Sequence, residues 1–179
     1  KVYKEFKENN KNLSILNGFN LRIKRGDRIG IIGPNGAGKT TFLRLILNEL
    51  KADKGSIKIN NNIEFSYFDQ NRSDLKPKDT LKDVMVPNGG DYIEVRGKMR
   101  HVYGYLKDFM FDPSIILERI SSLSGGQKNR LKLAKVLANP KSCLILDEPT
   151  NDLDMETLDM LGEILISYKG TLLLVSHDR

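Results

Sequence analysis

Apolar positions alternate with polar ones from Ile15 and Leu16 through Phe19, Leu21 and Ile23, break at Gly26-Asp27, and return as a denser run at Ile29, Ile31 and Ile32. Alternation on both sides of a Gly-Asp turn predicts a hairpin whose second strand is buried. After Gly38-Lys39-Thr40 the period changes. Phe42, Leu43, Ile46, Leu47 and Leu50 recur at helical spacing, giving one apolar stripe against a sheet. Two β-rich runs, 56–59 and 63–68, flank the turn Asn60-Asn61-Asn62. Residues 71–120 then read as a mostly helical insert of short amphipathic pieces, broken at Pro77 and at Pro87-Asn88-Gly89-Gly90. Within it, Asp112-Pro113 forms an N-cap and first-turn pair opening a helix over 114–120.

The helical period resumes at Leu123, Gln127, Arg130/Leu131, Ala134 and Leu137/Ala138 and ends near Asn139-Pro140. A buried strand over 143–146 follows. Asp154 then caps a helix with the stripe Leu158, Leu161, Ile164/Leu165 and Tyr168, stopped by Gly170 ahead of an apolar strand over 171–176. Strands alternating with helices predict an α/β fold with a largely parallel sheet.

Composition narrows the class. At 179 residues the chain holds one domain. Its apolar runs fall far short of the roughly 20 residues that span a bilayer, so no membrane span is expected. Cys143 is the single cysteine, which excludes an internal disulfide and fits a reducing cytoplasmic compartment. The N-terminal stretch lacks the apolar core of a secretory signal. The net charge of +6 is uneven: residues 1–60 hold 13 basic and 5 acidic side chains, and the remaining two-thirds are near balance. That surplus suits a phosphate-rich partner or a merely solvated face. A chain that starts at Lys and stops soon after His177 also reads as a portion of something longer.

The chemistry concentrates at three places. Gly33-Pro34-Asn35-Gly36-Ala37-Gly38-Lys39-Thr40 matches GxxxxGK[ST], set between an apolar strand and an amphipathic helix. Glycines there let backbone N–H groups wrap a phosphate at a helix N-terminus, Lys39 reaches the β/γ-phosphates, and Thr40 offers an oxygen to Mg²⁺. Near residue 147 a buried strand ends in Asp147-Glu148, where open α/β sheets bind ligands. Asp147 is assigned to Mg²⁺, and Glu148 acts as general base or orients the attacking water. Third, Ser124-Gly125-Gly126-Gln127 opens a helix as a second anion cradle. It is either an ordinary capped helix or a cradle for a nucleotide held by another copy or domain.

Taken in order, GPNGAGKTT, SLSGGQ, CLILDEPTNDLD and LLLVSHDR resemble the nucleotide-binding domain of the ABC ATPase superfamily over essentially the whole chain. The resemblance implies an α/β P-loop NTPase fold of ABC type: a RecA-like core, an N-terminal antiparallel β subdomain and a helical insert. It divides the single domain 1–179 into an α/β core with the β subdomain (1–70 and 139–179) and a helical subdomain carrying the signature (71–138). It also implies that ATP lies between the phosphate loop of one domain and the SGGQ signature of another. Asn35, Gly36, Ala37, Gly38, Lys39, Thr40, Thr41 and Asp147 then hold ATP and Mg²⁺, while Ser124, Gly125, Gly126 and Gln127 act in trans. Gln70 resembles the Q-loop glutamine that touches Mg²⁺. Asp152 and Asp154 belong to the D-loop at the dimer interface, and His177 matches the switch histidine near the γ-phosphate. Phe6 stacks on adenine, with Tyr3 as the competing choice. Asn129 and Lys135 depart from common signatures without touching phosphate contacts.

DEPTNDLD joined to VSHDR resembles the ABC-F group, tandem ATPases that act at ribosomes without transmembrane partners. The insert VRGKMRHVYGYLKDFMFDPSII resembles the second ATPase domain of Uup-type members of that group. What this implies is a second ATPase domain as partner and a ribosome or other RNA as target. Phosphate attraction by itself does not separate RNA from DNA. Two other readings stand beside it: an ATPase subunit of a membrane transporter, and a truncated domain that binds ATP with little turnover of its own.

Overall fold

The computed structural model describes residues 1–8, 11–69, 75–151 and 153–177. In chain order the elements are β1 (Val2–Glu8), β2 (Lys11–Phe19), β3 (Arg28–Ile32), α1 (Lys39–Ile46), β4 (Lys54–Gly55), β5 (Phe65–Asp69), α2 (Leu81–Met85), β6 (Tyr92–Val95), β7 (Lys98–His101), α3 (Val102–Asp108), α4 (Gly125–Ala138), β8 (Cys143–Asp147), α5 (Met155–Ser167) and β9 (Thr171–Ser176). One-turn 3₁₀ segments cover Pro113–Ile115 and Ile120–Ser122.

Four strands form the central sheet in the order β3-β9-β8-β5, every neighbouring pair parallel. Parallel strands all end on one edge, so the C-terminal ends of β3, β5, β8 and β9 meet there, the place where open α/β sheets take ligands. Strand β8 is buried at all five positions, which explains its unbroken apolar run Cys143-Leu144-Ile145-Leu146. Alternate residues serve two cores. Cys143, Ile145, Leu173 and Val175 join Leu43 of α1 in one cluster, while Leu144, Leu146 and Leu172 join the larger cluster with Leu131, Leu137 and Leu161 of α4 and α5. Truncating any of these leucines to alanine costs about 2–5 kcal/mol. Burial also pushes the Cys143 thiol up to about 11.

Several expectations change. Strands β2 and β3 do not form a hairpin: β2 pairs antiparallel with β1, in the separate sheet β2-β1-β4, and β3 joins β9. Gly26-Asp27 does make a turn, closed by Asp27 N–H to the Lys24 carbonyl at 3.1 Å, but it links two sheets. Among the described residues β3 is an edge strand, so Ile29 and Ile31 are half-buried and Ile32 is 57% exposed rather than buried. Residues 56–59 carry no strand. Only Lys54 and Gly55 pair, with Tyr3 and Val2, because alternation without a neighbouring ladder leaves the backbone unpartnered. The run predicted over 63–68 begins at Phe65 and reaches Asp69.

The insert is less helical than expected, since β6 and β7 form an antiparallel hairpin. Its two-residue turn is Arg96-Gly97, both at positive φ (50° and 80°), the combination that matches strand twist. Asp112 caps as predicted, accepting from Ser114 N–H at 2.8 Å, but a single 3₁₀ turn follows instead of a helix over 114–120. Helices α4 and α5 and strands β8 and β9 lie where the periodicity put them.

Candidate functional site

Strand β3 runs straight into the glycine-rich loop, which is tied back to the sheet by Gly33 N–H donating to the Ser176 carbonyl at 3.3 Å. Gly36 and Gly38 take positive φ (81° and 88°), a conformation that costs side-chain-bearing residues about 1–2 kcal/mol. At Gly38 there is also no room, because a Cβ would run into the Ile15 side chain of β2. The antiparallel subdomain thus packs directly on the loop. Helix α1 starts with Gly38 as N-cap and no side-chain cap, and this uncapped start borders a cavity of about 410 Å³. The residues from Asn35 to Thr41 line that cavity together with Leu13, Ile15, Asp69, Asp147 and Glu148.

Lys39 projects its amine to the Gly33 carbonyl (2.6 Å) and the Pro34 carbonyl (3.2 Å), with Glu148 Oε1 at 3.7 Å. Glu148 follows β8 at φ 51°, unusual for a non-glycine residue, and its N–H donates to the Val175 carbonyl at 3.0 Å. Its other oxygen, Oε2, lies 2.7 Å from His177 Nδ1 and accepts the His177 N–H at 3.3 Å. Lysine, glutamate and histidine, from the start of α1 and the ends of β8 and β9, therefore form one continuous chain of polar contacts.

Asp147 is buried, 9% exposed, and accepts from the Tyr67 hydroxyl at 3.3 Å. Burial, with the nearby Asp69 charge, raises its carboxyl above the ordinary range; the same burial drives the Tyr67 phenol up. A carboxylate held in such surroundings gains from a cation beside it.

The residues fit magnesium and a polyphosphate. The donors available are hard oxygens, Thr40 Oγ1 and the Asp147 carboxylate. Among the described residues no group of three or more His, Cys, Asp or Glu could hold a metal ion by itself. Mg²⁺ usually takes one or two protein carboxylates and completes its shell from water and substrate phosphates.

Ser124 caps α4 with a complete capping box: Ser124 Oγ accepts from Gln127 N–H at 3.2 Å, and Gln127 Oε1 accepts from Ser124 N–H at 2.9 Å. Ser124 and Gly125 are exposed, and neither they nor Gly126 and Gln127 line the phosphate-loop cavity. Asp154 caps α5 through Thr157 N–H at 2.8 Å. Phe6 lies opposite Leu13 in the β1–β2 ladder, hence on the face of that sheet that borders the cavity; it is 39% exposed and the Lys4 amine sits 5.3 Å from its ring centre. Tyr3 instead packs over Gly18. Gln70 and Asp152 lie outside the described residues. Sequence reasoning missed Leu13, Ile15, Asp69 and Tyr67, of which only the alternation at Leu13 and Ile15 left a signal. Among the described residues, no helix is long and apolar enough to cross a membrane.

Comparison with known proteins agrees with this geometry. The family model described as ABC transporter matches residues 16–151. The chain is 52% identical over 166 residues to the ATP-binding protein Uup of Caulobacter vibrioides, covering 93% of this chain and 27% of that protein. It is 52% identical to Uup of Escherichia coli, covering 90% of this chain and 25% of that protein. With the energy-dependent translational throttle protein EttA of Mycobacterium tuberculosis it shares 37% identity, over 93% of this chain and 30% of that one. The chain thus spans about a quarter of the length of the Uup proteins it matches. Among solved structures, the dimeric post-hydrolysis state of the ATP-binding cassette MJ0796 bound to ADP and Pi superposes with a TM-score of 0.76 at 27% identity, covering 99% of this chain and 86% of that one.

Proposed function

The chain belongs to the ABC transporter family as an ATPase domain of the ABC-F type, and from that membership we propose that it supplies half of two head-to-tail ATP sites in a longer protein acting on an RNA-rich partner. The observation that carries the reading is the contrast between a cavity ringed by Lys39, Asp147 and Glu148 and a signature, Ser124 to Gln127, that lies outside it. A site so divided is completed by a second domain.

In this reading Gly36, Gly38 and the flanking Asn35, Ala37 and Thr41 present backbone N–H groups to the phosphates, and Lys39 draws negative charge off the β/γ-oxygens. Thr40, Asp147 and Gln70 would hold Mg²⁺. Bound there, the ion would neutralise charge on the β- and γ-phosphates. Glu148 orients a water and takes its proton as the water oxygen bonds to the γ-phosphorus and the bond to the bridging oxygen breaks, leaving ADP and phosphate. His177, hydrogen-bonded to Glu148 Oε2, keeps that carboxylate aimed and faces the γ-phosphate. Ser124 to Gln127, Asp152 and Asp154 serve the partner's ATP, and Phe6 stacks on adenine.

The RNA-rich partner, most naturally the ribosome, is supported by the EttA relative's name and by exposed Arg22, Lys24 and Arg25 in the basic first third. Such a protein would work in the cytoplasm.

The test uses full-length protein. Glu148→Gln should retain ATP while turnover falls about a thousandfold, and Ser124→Arg should stop turnover without weakening ATP binding to the isolated chain. The Glu148→Gln protein should sediment with ribosomes in ATP and much less without nucleotide. Equal sedimentation in both states would remove the ribosome from the reading, and recovery only with membranes would favour a transporter subunit.

A further inference from the structure

Helix α4 carries, six residues beyond Ser124, an arginine that no step of the hydrolysis uses. Arg130 Nη1 donates to Asp154 Oδ2 at 3.2 Å, while Asp154 Oδ1 accepts the Thr157 N–H that starts α5. One carboxylate therefore does two things: it caps α5 and ties that cap to the signature helix. The arginine is not a loose surface charge. Its side chain is 17% exposed, and its guanidinium sits 5.5 Å from the ring centre of Phe111, which is itself buried in the insert core. At its far end α5 is held as well, since Arg28 of β3 donates to the Leu165 carbonyl at 2.8 Å and the Tyr168 carbonyl at 2.6 Å. A helix anchored at both ends transmits displacement of one end with little slack.

We propose that Arg130 is a positioning residue, whose pairing with Asp154 locks the signature and the D-loop of one domain into a single unit presented to the partner's ATP. The idea rests on the divided-site reading above. Signature and D-loop lie on different elements, α4 and the start of α5, which share the larger core through Leu131, Leu137 and Leu161; the Arg130–Asp154 pair is what ties their exposed starts to each other. A site assembled from parts that must arrive separately loses orientation, and orientation is what phosphoryl transfer chiefly needs. ATP held in the domain's own phosphate loop does not sense the link.

The experiment compares Arg130→Gln, Arg130→Lys, Asp154→Asn and the double variant Arg130→Gln/Asp154→Asn in full-length protein, beside Ser124→Arg. Asparagine still caps a helix, so Asp154→Asn removes the charge and keeps the cap. Arg130→Gln and Asp154→Asn should each lower kcat about tenfold with KM for ATP within about twofold. The double variant should be no worse than the worse single, and Arg130→Lys should recover part of the loss. In a Glu148→Gln background, fluorescence transfer between the two domains should show closure needing about tenfold more ATP when the pair is broken. Calorimetric ATP affinity of the isolated chain should stay unchanged.

Unchanged kcat in Arg130→Gln and in Asp154→Asn, while Ser124→Arg stops turnover, would overturn the proposal and leave the divided site standing. Multiplying effects in the double variant would overturn it too, as would a parallel fall in single-chain ATP affinity, the mark of a general loss of fold. Full turnover in Ser124→Arg would instead overturn the divided site.

Discussion

Helices α1 and α4 both open on glycine-rich sequence, yet they satisfy their first turns in opposite ways. At α4, Ser124 and Gln127 exchange hydrogen bonds and close a capping box, so the helix start is complete within the chain. At α1, Gly38 offers no side chain, and the uncapped helix start borders a cavity that Lys39 also lines, its amine resting on loop carbonyls. Helix starts without caps are favoured partners for anions. A helix start already capped is stable without a ligand and can present small residues to something that approaches from outside. The difference separates a site that binds by itself from a surface that waits for a partner.

The largest expected effect tests the uncapped end. Lys39→Ala removes a charged donor from a half-buried position, which is worth about 3 kcal/mol against phosphate, so ATP affinity measured by calorimetry should fall about a hundredfold. Unchanged affinity would mean that the helix start and loop alone hold the nucleotide.

Next comes a paired test on glycines. Gly38→Ala forces a side chain into positive φ and into Ile15, so the isolated chain should lose about 2 kcal/mol in denaturant unfolding and bind ATP poorly. At Gly125 a Cβ would meet nothing within 4 Å. Gly125→Ala should therefore leave the isolated chain as stable or gain up to about 1 kcal/mol, while lowering turnover of the full-length protein. If the two glycines behaved alike, the contrast between the helix starts would fail. Ser124→Ala, by opening the capping box, should cost about 1 kcal/mol of stability with single-chain ATP affinity intact.

Much of this site was legible beforehand because its chemistry is local. The phosphate loop, the β8 carboxylates and the Ser124 cap depend on residues a few positions apart, and spacing alone orders them. Where partners are distant the reading failed. Nothing in Ile15 to Ile32 says that β2 turns back on β1 while β3 crosses to β9, since an apolar strand accepts either neighbour and tertiary pairing decides. The same holds for 56–59, whose alternation lacked a ladder, and for Tyr67 and Asp69, brought to Asp147 only by the parallel register of β5 and β8. Arg130 is a further case: a charged residue on a helix face carries no mark of its partner 24 positions on.

A smaller effect sharpens the comparison by asking what kind of cap α4 has. Helix α2 carries the same box built with a charge: the Asp83 carboxylate accepts from Thr80 N–H at 2.9 Å and from the Thr80 hydroxyl at 2.8 Å. Those bonds hold its carboxyl below the ordinary value of 3.8. Because the folded value is depressed, the stabilisation is fully present above 3.8 and drains away as pH falls through the lower folded value, where the protonated carboxyl no longer accepts both bonds. The Ser124–Gln127 box has no group that titrates there. Hydrogen exchange of the Thr80 and Ser124 amides, corrected for intrinsic rates between about pH 5 and about pH 2, should show Thr80 losing protection first while Ser124 keeps its own until the chain unfolds as a whole. Loss of both in step would show that the two boxes are opened by global unfolding, and that the neutral cap gives the signature helix no independence from acid.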